Sequence, residues 1–206
     1  MSGYATKYLL SKGQDCTILR SPKDISTKIS IARATKAIRI YGAREAHWQG
    51  LILSDSGLVS GDVFQANDMT FIAQSVNNDP ASNEFAWFGV MVNAELGHWR
   101  LVEKVENGVI VQEWKQKDNV YAFGEIVTAD LRQRDPGLLE GTLYIFQVPK
   151  SADIELLDRI VYNGKNYKVN AIDDIGLGGV ARIQTGADTR PATIVTGDNG
   201  EGEEEE

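Results

Sequence analysis

The chain has 206 residues, 42% of them hydrophobic, with one cysteine and a formal net charge of −8. It is long enough for one domain or two small ones, and no apolar run approaches the roughly eighteen residues of a membrane helix. The opening MSGYATKYLLSKGQDC lacks the apolar stretch of a signal peptide and the lone Cys16 excludes an internal disulfide framework, so a soluble product of a reducing cytoplasm is expected.

In chain order, SKGQDCTILR predicts a turn at Gly13 and a strand over 16–20. Residues 21–50 show no clean helical or strand period and read as a long excursion, with a strand at KAIRIYG (36–42). This region is basic: residues 1–50 carry nine Lys or Arg against Asp15, Asp24 and Glu45, which leaves the remaining residues at −14. LILSDSG and a hairpin over 62–76 follow, then the strand EFAWFGVMV (84–92), rich in aromatic and β-branched residues. WRLVEKVENGVIVQEWKQK (99–117) predicts a second hairpin turning at Asn107-Gly108. NVYAFGE opens a strand, RDPGLLEG is a Pro-Gly turn, and TLYIFQVP is a strand ending at Pro149. SADIELLDRI (151–160) allows one helical turn capped by Ser151 or Asp153. No segment sustains a helical period beyond about two turns. Many short strands with close-spaced turn signals favour small barrels or sandwiches. The terminal GDNGEGEEEE (197–206) has no apolar residue and is expected to be a disordered acidic tail.

A third hairpin, DRIVYNGKNYKVNAI (158–172), resembles the first, DVFQANDMTFIAQSV (62–76), at an offset of ninety-six residues. Asn163-Gly164 is a strong signal for a two-residue turn, whose two positions need positive φ. Asn67-Asp68 occupies the same place in the earlier copy, and Asp62 to Phe71 repeats the spacing of Asp158 to Tyr167. The same offset aligns Trp48 with Tyr144 and Val76 with Ile172. The expected organisation is two tandem β units, 1–97 with a basic arm at about 21–46 and 98–196, followed by the tail.

Catalytic chemistry finds no foothold. His47 and His98 are each followed by Trp, a further echo of the repeat, but neither has a ligand at metal spacing. Each is read as a surface or interface imidazole, and Cys16 as a buried structural thiol. DDIGLGG (173–179) lacks the order of a phosphate loop, and the neighbouring Asp173 and Asp174 diverge on an extended chain. No catalytic residue, metal or cofactor is expected. The polar feature above background is the basic excursion. Lys28, Arg33, Lys36, Arg39 and Arg44 form a candidate electrostatic contact for DNA or a neighbouring subunit. With only Tyr41 for stacking inside it, specific single-strand reading is not expected.

The stretch LLDRIVYNGKNYKVNAIDDIG, with its Asp-x-Ile/Val-x-Tyr-x-Gly-x-x-Tyr-x-Val pattern, resembles the core hairpin of the small β-barrel head–tail connector proteins of tailed bacteriophages, the head-closure, stopper and adaptor proteins. The resemblance covers about thirty residues. It departs from that pattern in the first copy, where Asp68 and Phe71 replace the turn Gly and the Tyr. It implies a non-enzymatic virion protein, made in the host cytoplasm, whose copies form a homo-oligomeric ring. Its partners would be portal, connector and tail proteins and packaged DNA in the channel, with no membrane. Two alternatives stand beside this neck reading: a tail-completion or baseplate component, and a cellular β-barrel nucleic-acid-binding module. An enzyme built from dispersed carboxylates comes last.

Overall fold

The computed structural model describes residues 3–34, 46–106 and 109–191. A short helix, α1 (Tyr4–Lys12), precedes seven strands: β1 (Gln14–Leu19), β2 (Ile25–Ile29), β3 (Ala32–Arg33), β4 (His47–Ile52), β5 (Val63–Ala66), β6 (Met69–Asp79) and β7 (Glu84–Met91). They pair antiparallel in the order β2-β1-β5-β6-β7-β4-β3, and the Ile29–Ile52 pairing of β2 with β4 closes six of them into a barrel. The second half repeats this with β8 (Ala94–Glu106), β9 (Val109–Gln116), β10 (Val120–Ile126), β11 (Tyr144–Pro149), β12 (Arg159–Tyr162), β13 (Lys165–Asp173) and β14 (Val180–Ala187). Their order is β10-β11-β14-β13-β12-β8-β9, closed by β8 on β10. Around the ring β1, β2, β4, β5, β6 and β7 match β8, β10, β11, β12, β13 and β14 one for one. The protein is mostly β, two closed six-stranded barrels in tandem.

The ninety-six-residue offset holds at fine detail. Trp48 pairs with Gly89 and Tyr144 with Thr185; Val76 pairs with Trp87 and Ile172 with Ile183. Both long central strands carry an irregularity at the same place, between Ala73 and Ser75 and between Val169 and Ala171. Left-handed residues repeat as well. Asn67 and Asp68 match Asn163 and Gly164 in the hairpin turns, Gly57 matches Asp153, and Gly61 matches Leu157.

Alternation places one side of each strand in a barrel core. Phe64, Phe71 and Trp87 fill the first, with Phe64 and Trp87 edge to face at 5.0 Å. Ile160, Tyr167, Phe146 and Ile183 fill the second. One cross-strand pair has exchanged its bulk. Gly50 opposite Trp87 in the first barrel corresponds to Phe146 opposite Ile183 in the second. A Cβ at Gly50 would stand 1.8 Å from the Ser30 carbonyl oxygen and 3.0 Å from the Trp87 indole nitrogen, so the close approach of the Ser30 backbone, with the large ring beside it, needs bare backbone here.

The structure departs from the sequence expectations in residues 21–50 and in its helices. β2, β3 and most of β4 stand in the expected excursion, because β2 fully buries only Ile29 and β3 nothing, which leaves little alternation to read. α1 was not anticipated because Leu9 is the one residue it buries, which leaves no apolar period to detect. A second helix, α2 (Ala129–Arg134), buries nothing and is held by its ends: the Leu131 N–H donates to Thr128 Oγ1, and Asp130 pairs with Arg134 at 2.8 Å. The helical turn expected in 151–160 is a single 3-10 turn, Lys150–Ala152, with Ser151 inside it and Asp153 closing it at φ 51°. The strand expected at 36–42, the Asn107-Gly108 turn and the tail 197–206 lie outside the described residues.

Candidate functional site

Each barrel is pinned by a carboxylate at the entrance of its repeated hairpin, half-buried in the first and buried in the second. Asp62 accepts from the Val59 N–H at 2.8 Å and from Arg20 Nε and Nη2 at 3.1 and 2.5 Å. Its counterpart Asp158 accepts from the Glu155 N–H at 2.8 Å and from Arg100 Nε and Nη2 at 3.1 and 2.9 Å. This is why the Asp-to-aromatic spacing recurs: the carboxylate ties the approach to the hairpin onto the first strand of its barrel. The arginines escape a fixed-offset comparison because they stand eighty residues apart, not ninety-six. The second barrel carries extra residues between its first two strands.

In the second barrel His98 Nε2 also meets Asp158 Oδ2, at 2.7 Å, and His98 is 1% exposed. Burial pushes the Asp158 carboxyl up. The bonds from His98, Arg100 and the Glu155 N–H outweigh it and hold the group below the usual carboxylate range. The Arg20 and Arg100 guanidiniums are correspondingly raised by their hydrogen bonds to Asp62 and Asp158. The two histidines are not repeat equivalents: His98 is on β8 and His47 on β4. Neither is at the surface. His47 stacks on Phe88 and meets Phe123 of the other barrel edge-on at 6.1 Å. Cys16 is buried, which pushes its thiol up to about 12.

The two barrels meet through different faces. Ile72, Val90, Val63 and Val92 of the first pack with Phe123, Val180 and Leu177 of the second. Gln74 Nε2 donates to Gln147 Oε1 across the joint, and the Gly179 N–H donates to Ser60 Oγ at 3.0 Å. Here backbone lies directly on backbone. A Cβ at Gly61 would stand 2.2 Å from the Gly179 carbonyl oxygen, and one at Gly179 would stand 1.8 Å from that of Ser60.

A two-stranded ribbon projects from the second barrel. β8 pairs with β10 and β12 near its start, then continues with β9 alone from Arg100 to Glu106. The matching connection in the first barrel is only residues 20–24. At the ribbon's root Trp114 lies against Arg159 at 3.9 Å and Arg190 at 4.7 Å, and its indole N–H donates to the Pro191 carbonyl at 3.1 Å. Asp188 accepts from Arg159 Nε at 2.7 Å and Arg190 Nε at 2.8 Å. Burial raises its carboxyl, but these bonds carry it far below the usual range. Further out, on the face that carries Trp114, Val105 and Ile110 are directly opposite each other and exposed.

Of the residues expected to make an electrostatic contact, Lys28 pairs with Asp15 at 2.8 Å on the first barrel wall, and Arg33 lies over the Trp48 ring at 5.6 Å. Lys36, Arg39 and Arg44 lie outside the described residues. The sequence missed the Trp114–Arg159–Asp188–Arg190 clamp, whose members are spread over seventy-seven residues with no shared motif. No protein-family model matches the chain, and no curated protein matches it.

Proposed function

We propose that the protein is a non-enzymatic structural component of a tailed-phage virion. Its copies form a ring of the head–tail connector (neck), joining head or portal to tail and helping to retain or channel DNA. One observation carries this reading: the duplication of a closed barrel whose two copies join through unlike faces. The closed barrels themselves leave no sheet edge for pairing, while β3 and the ribbon do, so neighbours would be held by faces, loops, arms and those edges. Contacts between unlike faces close into rings when the rotation permits. The ribbon built on β8 and β9 is a projecting part a ring subunit would use, and Lys36, Arg39 and Arg44 would supply charge for a contact. The resemblance of 156–176 to the connector hairpin supports the same class.

The test is the native mass of the purified protein, alone and with portal or tail proteins, by mass photometry or light scattering. A defined ring, formed alone or on a portal partner, is the expected result; a ring formed only on a tail or baseplate partner moves the protein along the virion. A monomer that ignores all these partners and binds nucleic acid tightly at physiological salt replaces the proposal with a cellular nucleic-acid-binding module.

A further inference from the structure

The internal joint is an obvious candidate for repetition between molecules, because each molecule has one unused copy of each joint face. Barrel two has the counterpart of the face that barrel one presents, and barrel one has the counterpart of the face that barrel two presents. Both counterparts have diverged. The apolar joint residues Val63, Ile72, Val90 and Val92 become Arg159, Lys168, Gly186 and Asp188 at the ninety-six-residue offset. On the other side Val180 becomes Glu84.

The steric fit is lost as well. Backbone contact at the joint requires bare backbone at Gly61 and Gly179. Their counterparts are Leu157 and Asn83, with positive φ of 70° and 59° and full side chains. A Cβ alone at either glycine would overlap a carbonyl group, so Leu opposite Asn cannot approach as the glycines do.

Each unused face is partly covered by a terminal part of the chain, with Leu156, Leu157 and Asn83 left exposed. Over barrel two, Asp188 and the carbonyls of Arg190 and Pro191 occupy Arg159, and Trp114 closes over the pair. Over barrel one, Thr6 of α1 donates to Glu84 Oε1, the Ser54 N–H donates to Glu84 Oε2 at 2.7 Å, and Glu84 is 2% exposed. Charged, partly covered outer faces at the ends of an apolar internal contact are how repeat arrays stop growing.

We infer that the two barrels form a terminated pair: the joint within the molecule is not repeated between molecules. Copies of this chain that assemble do so through surfaces other than the joint faces. This rests on the ring reading only for the assembly in which it matters, and it limits how such a ring can close.

Disulfide trapping tests it. In the internal joint a Cβ at Gly178 would stand 3.9 Å from Ser60 Oγ, so Ser60→Cys with Gly178→Cys should lock the two barrels within one molecule. The counterparts of these positions are Leu156 and Ser82. The full chain carrying Leu156→Cys, Ser82→Cys and Cys16→Ala is oxidised over a hundredfold concentration range and in its assembled state, then run without reductant. The expected result is a single monomer band. A ladder of covalent dimers and larger species would overturn the inference while leaving the ring reading intact. Failure of the ring reading shows instead in the native mass of the wild-type protein, which the cysteines do not affect.

Discussion

At the residue scale, two kinds of position carry the most weight: the hairpin carboxylates and the glycines that bring backbones together. Asp158 is 3% exposed and shared by His98 and Arg100. Asp158→Asn leaves the guanidinium without its counter-charge and turns one of the two accepting oxygens into a donor facing other donors, so it should cost about 3 kcal/mol in chemical denaturation. Its carboxyl and that of Asp188 are both held below the ordinary value of about 4. The stability they contribute is therefore complete above about pH 4 and lost as the pH falls through and below it. The melting temperature of Asp158→Asn should fall less steeply with acid than that of the wild type. Parallel acid limbs would show that the ion pair contributes nothing. Gly179→Ala places a methyl 1.8 Å from the Ser60 carbonyl oxygen. It should separate the barrels' unfolding into two calorimetric transitions, each barrel keeping its own core.

At the element scale, the repeated hairpin and the ribbon behave differently. The hairpin turn at Asn163-Gly164 needs positive φ at both positions, 49° and 70°. Gly164→Val should destabilise by about 1–3 kcal/mol, read as a lower melting temperature. The ribbon beyond Trp99 is two-stranded, an element with little stability of its own. It is fixed at its root by Trp114 between Arg159 and Arg190, contacts worth about 0.5–2 kcal/mol each. Trp114→Ala should leave both barrels folded and raise amide exchange in 100–116 and 188–190 together. Exchange rising in only one of these segments would mean that the clamp does not couple them.

For the whole molecule, the charge asymmetry and the ring proposal meet in the basic excursion. A contact made by Lys36, Arg39 and Arg44 with DNA or an acidic neighbour is mainly electrostatic and weakens steeply with salt, because neutralised phosphates and carboxylates exchange counterions. Reversing all three to Glu should abolish incorporation into particles or binding to the partner, while the Ala triple weakens it less. Normal incorporation of the Glu triple would remove the excursion from the assembly mechanism. The ring proposal would remain, since it rests on the duplicated barrels.

The strands outside 21–52, the two repeated hairpin turns and the duplication were legible in the sequence. These depend on alternation, turn chemistry and spacing, which are local, and the offset of ninety-six carried over from Asp62 and Phe71 to whole barrels. The sequence did not disclose α1 or α2, because a helix that buries one residue or none leaves no period. Nor did it disclose Arg20 and Arg100, since the ribbon inserted between β8 and β10 shifts the offset from eighty to ninety-six. Barrel closure, the pairing of unlike faces and the clamp at Trp114 were decided by tertiary structure alone. Each joins residues far apart in the chain whose types, taken singly, are ordinary. A glycine pair such as Gly61 and Gly179 acquires meaning only when the fold brings two backbones to the same point.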